Sequence, residues 1–433
     1  MILSLALVTP LTFGAFNSTA TPHEQAQQHE KNGEWTKAIA IYESLLRQQR
    51  SPELQARYQS CLRRFWQTLR HQDIGYRKEV LGLDYGQSLR LYNKIRDTLL
   101  DHALDRKKAD AGRLLHKGIQ ELDAALSDPF FVQSYLPGKA AEAQAFREYI
   151  KKKWGKSVSL TRVQAEKQIR DIALEAQDIL QLQTTVTILE LACGACYAFD
   201  DYTAYLTPSQ FRDLYDALKG ESSEGILQSV IAEMKTQDIA YVRIAFFQET
   251  TPQELDNALA AVQAWGVKGI VLDLRGNPGG LLEVAVDASR KFLSSGIIVA
   301  VENQDPRYST VHQARTMAPC LLPMVVLIDG DTASAAEVLA GALHDNERAR
   351  LVGQTTFGKG CSQQLVKLPA ASGVPTGGLR LTIARFFSPK GVCYTGRGIV
   401  PDILADRVKP EAPEVDNQLQ EAVADLSRQL ALR

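Results

Sequence analysis

The sequence predicts a helical half followed by an α/β half, and three observations carry that division. Between Ser51 and Glu190 the apolar residues recur at spacings of three and four, as in SLRLYNKIRDTLLDHAL and KQIRDIALEAQDILQLQ, with almost no strand signal. From Ile239 onward, short runs of Val, Ile and Leu end in Gly and polar residues and alternate with helical stretches. That alternation marks a mostly parallel, buried sheet. The composition is ordinary for a soluble globular chain: 45% hydrophobic and 23% charged over 433 residues, with a formal charge of −1. The charge balance excludes a broad basic surface for nucleic acid. Six cysteines are too few to staple such a chain, and no Cys/His cluster has zinc-finger spacing.

Taken in order, Met1–Phe16 is uncharged and mostly apolar, and Ser18-Thr19-Ala20 offers a small-x-small cleavage site. Residues 1–20 read as a signal peptide, which implies an exported, periplasmic or extracytoplasmic protein; an uncleaved anchor and a cytoplasmic apolar N-terminus are the alternatives. Pro10 and Gly14 interrupt the run and make it poor as a membrane span, so none is expected after cleavage. The usual positive start is missing, since no Lys or Arg precedes Lys31. Residues 21–50 read as a helical hairpin turning at Asn32–Trp35, with Ala38, Ala40, Ile41, Tyr42, Leu45 and Leu46 at helical spacing. The run KNGEWTKAIAIYESLL resembles one tetratricopeptide repeat. A single repeat cannot bury its own face, so it must pack on the next helices or on a protein partner. Residues 51–190 form a helical domain, 191–238 linking helices, 239–410 the α/β core and 411–433 a C-terminal helix.

Inside the core, IAYVRIAFF alternates as a strand and TPQELDNALAAVQAWG follows as a helix. Sites on such sheets lie in the loops that leave the strands, and three loops stand out. In the first, Asp273–Gly280 (DLRGNPGG), three glycines around a proline make a tight turn that exposes backbone N–H groups to developing negative charge. A plain strand-to-helix turn is the alternative; a dinucleotide fingerprint is excluded because the G-x-G-x-x-G spacing is absent. The second, Asp331–Glu337, places Ser334 at a helix start, where the dipole favours an oxyanion, although serine there is often only a cap. The third sets Lys359 between Gly358 and Gly360. A lysine desolvated in a packed site can act as a general base, and Gln363 could hold its amine; a solvated loop lysine is the alternative. His344 and Asp345 suggest a serine triad, but ten residues of helix put His344 about 15 Å along the axis, too far to serve Ser334.

DLRGNPGGLL, DGDTASAAEVLAGALHDNERARLVGQTTFGKGCSQQ and TIARFFSPKGVCYTGRGIVPDI, in that order, closely resemble the carboxyl-terminal processing (tail-specific) protease family. The resemblance begins at AFDDYTAYLTPSQF (Ala198–Phe211) and runs from Ile239 to about Ile403. It implies a crotonase-like (ClpP/crotonase-type) α/β core and a serine peptidase acting on proteins or their C-terminal tails through an acyl-enzyme. It further implies a dyad of Ser334 as nucleophile and Lys359 as base, with Gln363 orienting the lysine. The oxyanion donors would be Ala335 N–H and an N–H of the Gly279–Gly280 pair, Gly280 preferred. The family carries a PDZ domain between its YLTP helix and the strand matching IAYVRI. Here Ser209–Asp238, about thirty residues, fills that interval, too few for such a domain. The helical half is therefore expected to deliver or gate substrate. Thr332 and Ala336 stand where serines are common in the family, and neither is given a catalytic role.

A competing expectation is a non-catalytic binding protein of the same fold, for a peptide or lipophilic ligand, with a helical docking region. The joint presence of Ser334, Lys359 and Gln363 favours the peptidase. Cys193 and Cys196 lie in an apolar helical run with no strand before them, so they read as buried small residues rather than a redox pair. Cys361 and Cys393 could bridge in an exported protein.

Overall fold

A computed structural model describes residues 20–48, 51–102, 104, 109–222, 225–407 and 415–432. The signal-peptide segment up to residue 19, the end of the hairpin at 49–50 and the start of the C-terminal segment at 411–414 lie outside the described residues. The chain divides into two compact units. One holds the described residues to Arg212 together with Gln363–Thr382; the other holds Asp213–Ser362 and the chain from Ile383 onward.

The first unit is built from α1 (Pro22–Lys31), α2 (Trp35–Gln48), α3 (Pro52–Gln72), α4 (Tyr85–His102), α5 (Ala111–Ala125), α6 (Pro129–Tyr135), α7 (Ala140–Trp154), α8 (Arg162–Leu180) and α9 (Thr184–Cys196). Local chemistry sets many of the starts. Thr21, Ser51, Asp110, Asp128 and Thr161 each accept a first-turn backbone N–H through the side chain, and Pro22, Pro52 and Pro129 sit where no intrahelical donor is needed. The hairpin α1–α2 does not stand alone. Ala26, Ala38, Ile41 and Tyr42 pack with Tyr58, Cys61 and Leu62 of α3, which buries the apolar face of the hairpin.

Two glycines let α5 and α9 touch backbone to backbone. A Cβ on Gly118 would lie 2.6 Å from the Leu191 carbonyl oxygen, and one on Gly194 would lie 2.5 Å from that of Lys117. We expect Gly118→Ala to cost about 1–3 kcal/mol by forcing the helices apart; a thermal melt unchanged from the parent protein would refute that close approach. Beside this crossing, the buried Glu190 carboxylate accepts from Arg70 Nη2 at 2.8 Å and Gln67 Nε2 at 2.6 Å, with His71 Nε2 at 2.9 Å.

After α9 the chain forms β1 (Ala204–Leu206), which pairs antiparallel with Gly378–Arg380, and then α10 (Pro208–Lys219). The region read as linking helices is helical only in the end of α9 and in α10. Beyond Lys219 the chain is extended, forming β2 (Glu221–Ser222), β3 (Gly225–Ile226) and β4 (Val230–Met234). The reason is register: β4 pairs antiparallel with β5 (Ile239–Ile244), so sheet hydrogen bonds replace helical ones.

The second unit centres on a six-stranded sheet. The chain continues through α11 (Thr251–Ala264), β6 (Gly269–Asp273), α12 (Leu282–Arg290), β7 (Ser295–Asn303), β8 (Thr310–Arg315), β9 (Met324–Ile328), α13 (Ala335–Asp345), β10 (Arg350–Gly353), β11 (Cys361–Lys367), β12 (Gly378–Phe387), β13 (Ile403–Leu404) and α14 (Asn417–Ala431), with β11 from Gln363 and β12 up to Thr382 counted in the first unit. The strand order is β13-β10-β9-β6-β5-β4, parallel throughout except for β4. The sequence expectation of a parallel, buried sheet is met: every residue of β6 and of β9 is buried. One face carries α11, α12 and α13, with Leu255, Ala285 and Leu339 packed against Val242, Leu272 and Val326. The other face, with Val271, Val325, Leu327 and Val352, is covered by Ala422 and Leu426 of α14. The end of β12, Ala384–Phe387, pairs with β7, which in turn pairs with β8. Among the described residues no helix is long and apolar enough to cross a membrane.

Candidate active site

β6, β9 and β10 are adjacent and parallel, so the loops that leave them emerge at the same edge of the sheet. Those are the three loops singled out in the sequence. Ser334 follows β9 and immediately precedes α13. Its backbone is at φ +57°, ψ −118°, a conformation costly for a residue with a side chain and characteristic of functional strain. Small neighbours tolerate it: Ala333, Ala335 and Ala336 are all buried. Helix α13 is apolar nearly all round and buried from Ala335 to Leu343, which gives the serine a rigid base.

The DLRGNPGG turn runs against the serine. A Cβ on Gly279 would lie 2.8 Å from Ser334 Cβ and 3.0 Å from Ala335 N, and Gly279 has φ +104°, so only glycine fits there. The turn is held from inside by Asn277. Its Nδ2 donates to the Ile244 carbonyl, its Oδ1 accepts Gly279 N–H at 2.8 Å, and its own carbonyl accepts Ala333 N–H at 2.9 Å. Gly279 N–H is thereby engaged. Among the described residues, neither Gly280 N–H nor Ala335 N–H donates a hydrogen bond. Thr332, adjacent to Ala333, donates its hydroxyl to the Leu274 carbonyl at 2.9 Å, a second tie between the loops.

Lys359 lies between β10 and β11 and, like Ser334, is 8% exposed. The flanking glycines have a packing reason. A Cβ on Gly358 would sit 2.8 Å from Gly398 N, and one on Gly360 would sit 2.6 Å from Thr395 N. The turn at 394–398 thus presses on both sides of the lysine.

Glu337 joins the two loops. Its Oε2 accepts Ser334 N–H at 2.8 Å and Lys359 N–H at 2.8 Å, while Oε1 accepts the Thr356 hydroxyl at 2.6 Å and Gly358 N–H at 2.8 Å. One carboxylate oxygen therefore holds the backbones of serine and lysine within twice a hydrogen-bond length of each other. Burial raises the Glu337 carboxyl above its ordinary value, and the four donors offset only part of that. Phe357 N–H adds a bond to the Thr332 carbonyl at 3.0 Å.

A strained serine, a buried lysine, a common carboxylate and a glycine turn converge within one unit. Residues 238–405, which contain all of them, match the family model for peptidase family S41. The chain carries a peptidase S41 domain. Similar proteins include the carboxy-terminal processing protease CtpA of Bacillus subtilis, 37% identical over 42% of this chain and 38% of that protein. The carboxyl-terminal-processing protease of Synechocystis is 36% identical over 45% of this chain and 43% of its own. Among solved structures, the photosystem II D1 C-terminal processing protease is 31% identical, covering 46% of this chain and 52% of that one at a TM-score of 0.37. The chain thus spans less than half the length of the curated relatives named here.

The remaining expected residues fall as follows. Gln363 belongs to the helical unit, where its Nε2 donates to the Tyr202 carbonyl at 2.8 Å. Tyr202 lies in the AFDDYTAYL segment, whose Asp200 fixes the loop by accepting Tyr202 N–H and Thr203 N–H. His344 closes α13, with Nδ1 3.1 Å from Asp345 and Nε2 3.5 Å from Asp402, so its polar contacts are with carboxylates at the far end of the helix. Cys193 and Cys196 are buried free thiols in α9. Cys361 is buried and Cys393 half-buried, and the conceivable bridge between them is not formed. Among the described residues no cluster could hold a metal.

Sequence reasoning missed Glu337, Asn277 and Thr356 in the S41 domain. Glu337 had a signal, since Ser-x-x-Glu is the spacing at which a side chain reaches back to a helix-start N–H. Asn277 and Thr356 had none, because the partners that fix them, Ile244 and Ala333 for Asn277 and Glu337 and Ile399 for Thr356, are far away in sequence.

Proposed function

We propose that this chain is a serine endopeptidase in which Ser334 is the nucleophile and Lys359 the general base. The observation that carries this reading is the Glu337 carboxylate, which binds the backbones of both residues beside the Gly279–Gly280 turn. Lys359, as the free amine, takes the Ser334 hydroxyl proton while Oγ attacks the scissile carbonyl carbon. The carbonyl oxygen gains the negative charge and is held by the N–H groups of Gly280 and Ala335, which have no other acceptor among the described residues. Gly280 is a better donor than Gly279, whose N–H is engaged by Asn277. The tetrahedral intermediate collapses, the C–N bond breaks, and the amine leaves with the proton from Lys359. Lys359 then deprotonates the water that hydrolyses the ester.

Gln363 fits as the residue that orients Lys359. Proteins or their C-terminal tails are the substrates we assign, by analogy with the processing proteases. The tetratricopeptide-like hairpin and the helices that follow it supply the region for delivery or docking. Export is favoured by the Met1–Ala20 segment, and cleavage there would leave Thr21 to cap α1 in the mature chain; N-terminal sequencing of the secreted protein tests it.

The decisive experiment is β-casein cleavage by the parent protein, Ser334→Ala and Lys359→Ala. Each substitution should lower the rate by at least about 10³-fold with unchanged circular dichroism. Cleavage persisting in both variants would end the dyad assignment.

A further inference from the structure

The C-terminal helix α14 has a role at the catalytic end of the sheet as well as on its face. Its apolar side covers Val271, Val325, Leu327 and Val352, with Leu426 so near the start of β6 that a Cβ on Gly269 would lie 3.0 Å from Leu426 Cδ2. That contact is ordinary core packing. The N-terminus of the helix does something different. Asp416, its cap residue, accepts Leu419 N–H and also Arg275 Nη1 at 2.7 Å. Gln418 accepts from the same Nη1 at 3.1 Å through Oε1 and donates to the Ala405 carbonyl through Nε2.

Arg275 is the third residue of the DLRGNPGG turn and is buried. The rest of its guanidinium is engaged by Asp273. Nε lies 3.0 Å and Nη2 2.6 Å from Asp273 Oδ2, while Arg275 N–H donates to Oδ1. Tyr241 OH donates to Asp273 Oδ2 from β5. The planar fork therefore links the end of β6 to the start of α14, a geometry that lysine could not reproduce. Burial pushes the Asp416 carboxyl up, but Arg275 and the Leu419 N–H outweigh it and hold it below its ordinary value, so it faces Arg275 as an anion.

From Arg275 the turn passes through Gly276, whose N–H is taken by Asp329, and Asn277, which fixes Gly279. The segment from Arg275 to Gly280 is thus pinned at each end, and the Arg275 end is pinned by α14. We propose that α14 is a working part of the catalytic centre: Asp416 and Gln418 hold Arg275, and Arg275 sets the position of the turn that presents Gly280 N–H to the oxyanion. Arg275 and Asp416 are positioning residues that touch no substrate. The inference rests on the peptidase reading above and adds to it a dependence on a helix outside the three loops.

The test separates positioning from helix docking. Asp425, farther along α14, accepts Arg350 Nη1 at 2.7 Å and anchors the same helix without touching the turn. The substrate is a quenched peptide cleaved by the parent protein, and a peptide boronate serves as a tetrahedral-adduct probe. Asp416→Ala should lower kcat about tenfold at unchanged KM and weaken the boronate by a similar factor, because small misplacements of a donor are costly. Asp416→Asn keeps the helix cap without the charge and should show a smaller loss in the same two readouts. Asp425→Ala should lower the melting temperature while leaving kcat within about twofold of the parent. A parent protein with no Ser334-dependent cleavage would overturn the peptidase reading and this inference together. With cleavage established, the inference alone falls if Asp416→Ala leaves kcat intact, or if Asp425→Ala lowers kcat as much.

Discussion

Replacing Glu337 by glutamine is expected to remove peptide cleavage almost completely, although the two side chains have the same shape. Each carboxylate oxygen of Glu337 accepts two donors: Ser334 and Lys359 N–H on one side, Thr356 hydroxyl and Gly358 N–H on the other. A glutamine must turn its NH2 toward one of those pairs, setting donors against donors in a fully buried site. The lost bonds and the unsatisfied groups together should cost about 2–5 kcal/mol of core stability. In the orientation that aims the NH2 at Ser334 and Lys359 their backbones lose the shared tether, and in the other the Thr356–Gly358 side is forced away; a shift of about 1 Å between Ser334 and Lys359 is enough for a loss of about 100-fold in kcat/KM. Urea unfolding and a quenched-peptide assay measure the two effects on one preparation. A glutamine variant with parent-like turnover would show that Glu337 only fills space.

The second large effect lies in the helical unit, far in sequence from the chemistry. Glu190→Ala should destabilise that unit by about 3–5 kcal/mol, because it strands the buried Arg70 guanidinium. Arg70 is 5% exposed and Glu190 fully buried, and the nearest other carboxylate, Glu121, is 3.7 Å from Arg70 Nη2. The loss depends on pH in a defined direction. Burial alone would raise the Glu190 carboxyl, but Arg70 and then His71 hold it well below the ordinary 4.5. A carboxyl depressed on folding adds stability that is complete above its unfolded value and is lost as pH falls through the folded one. The difference between parent and Glu190→Ala should therefore be full at about pH 7 and narrow below about pH 4.5. Urea midpoints that differ equally at pH 7 and pH 3 would contradict that linkage.

The legible parts of this protein are those that local chemistry writes into the chain. Cap residues such as Thr21, Ser51 and Thr161 mark helix starts because a side-chain oxygen must satisfy a first-turn N–H. The all-apolar runs of β6 and β9 mark a buried parallel sheet, since strands covered on both faces have no polar side to show. The DLRGNPGG, Ser334 and Lys359 loops could be picked out because glycines and small residues at such points are expensive without a reason. Gly279 and Gly360 have one: a side chain there would strike Ser334 Cβ or Thr395 N.

The segment beyond Lys219 was misread because its fate depends on a partner. Val230–Met234 is a strand through pairing with β5, and its own residues do not announce that. The same holds for Asn277, whose bonds reach Ile244 and Ala333 as well as Gly279, and for Arg275, whose partner Asp416 is 141 residues away in sequence.

The opening division into a helical and an α/β half was set by the sequence itself, because helix and strand periodicities are local properties of side-chain spacing. So were the residue types able to do chemistry in three loops after strands. Only the tertiary structure decided that Gln363–Thr382 joins the helical unit and that Gly279 N–H is engaged while Gly280 N–H is not. It alone placed one buried carboxylate against both Ser334 and Lys359. The Glu337 bonds to Thr356, Gly358 and Lys359 join residues about twenty positions apart, and Asn277 is held for its local bond to Gly279 by distant Ile244 and Ala333; no local spacing encodes such ties, and burial makes them costly to leave unmade.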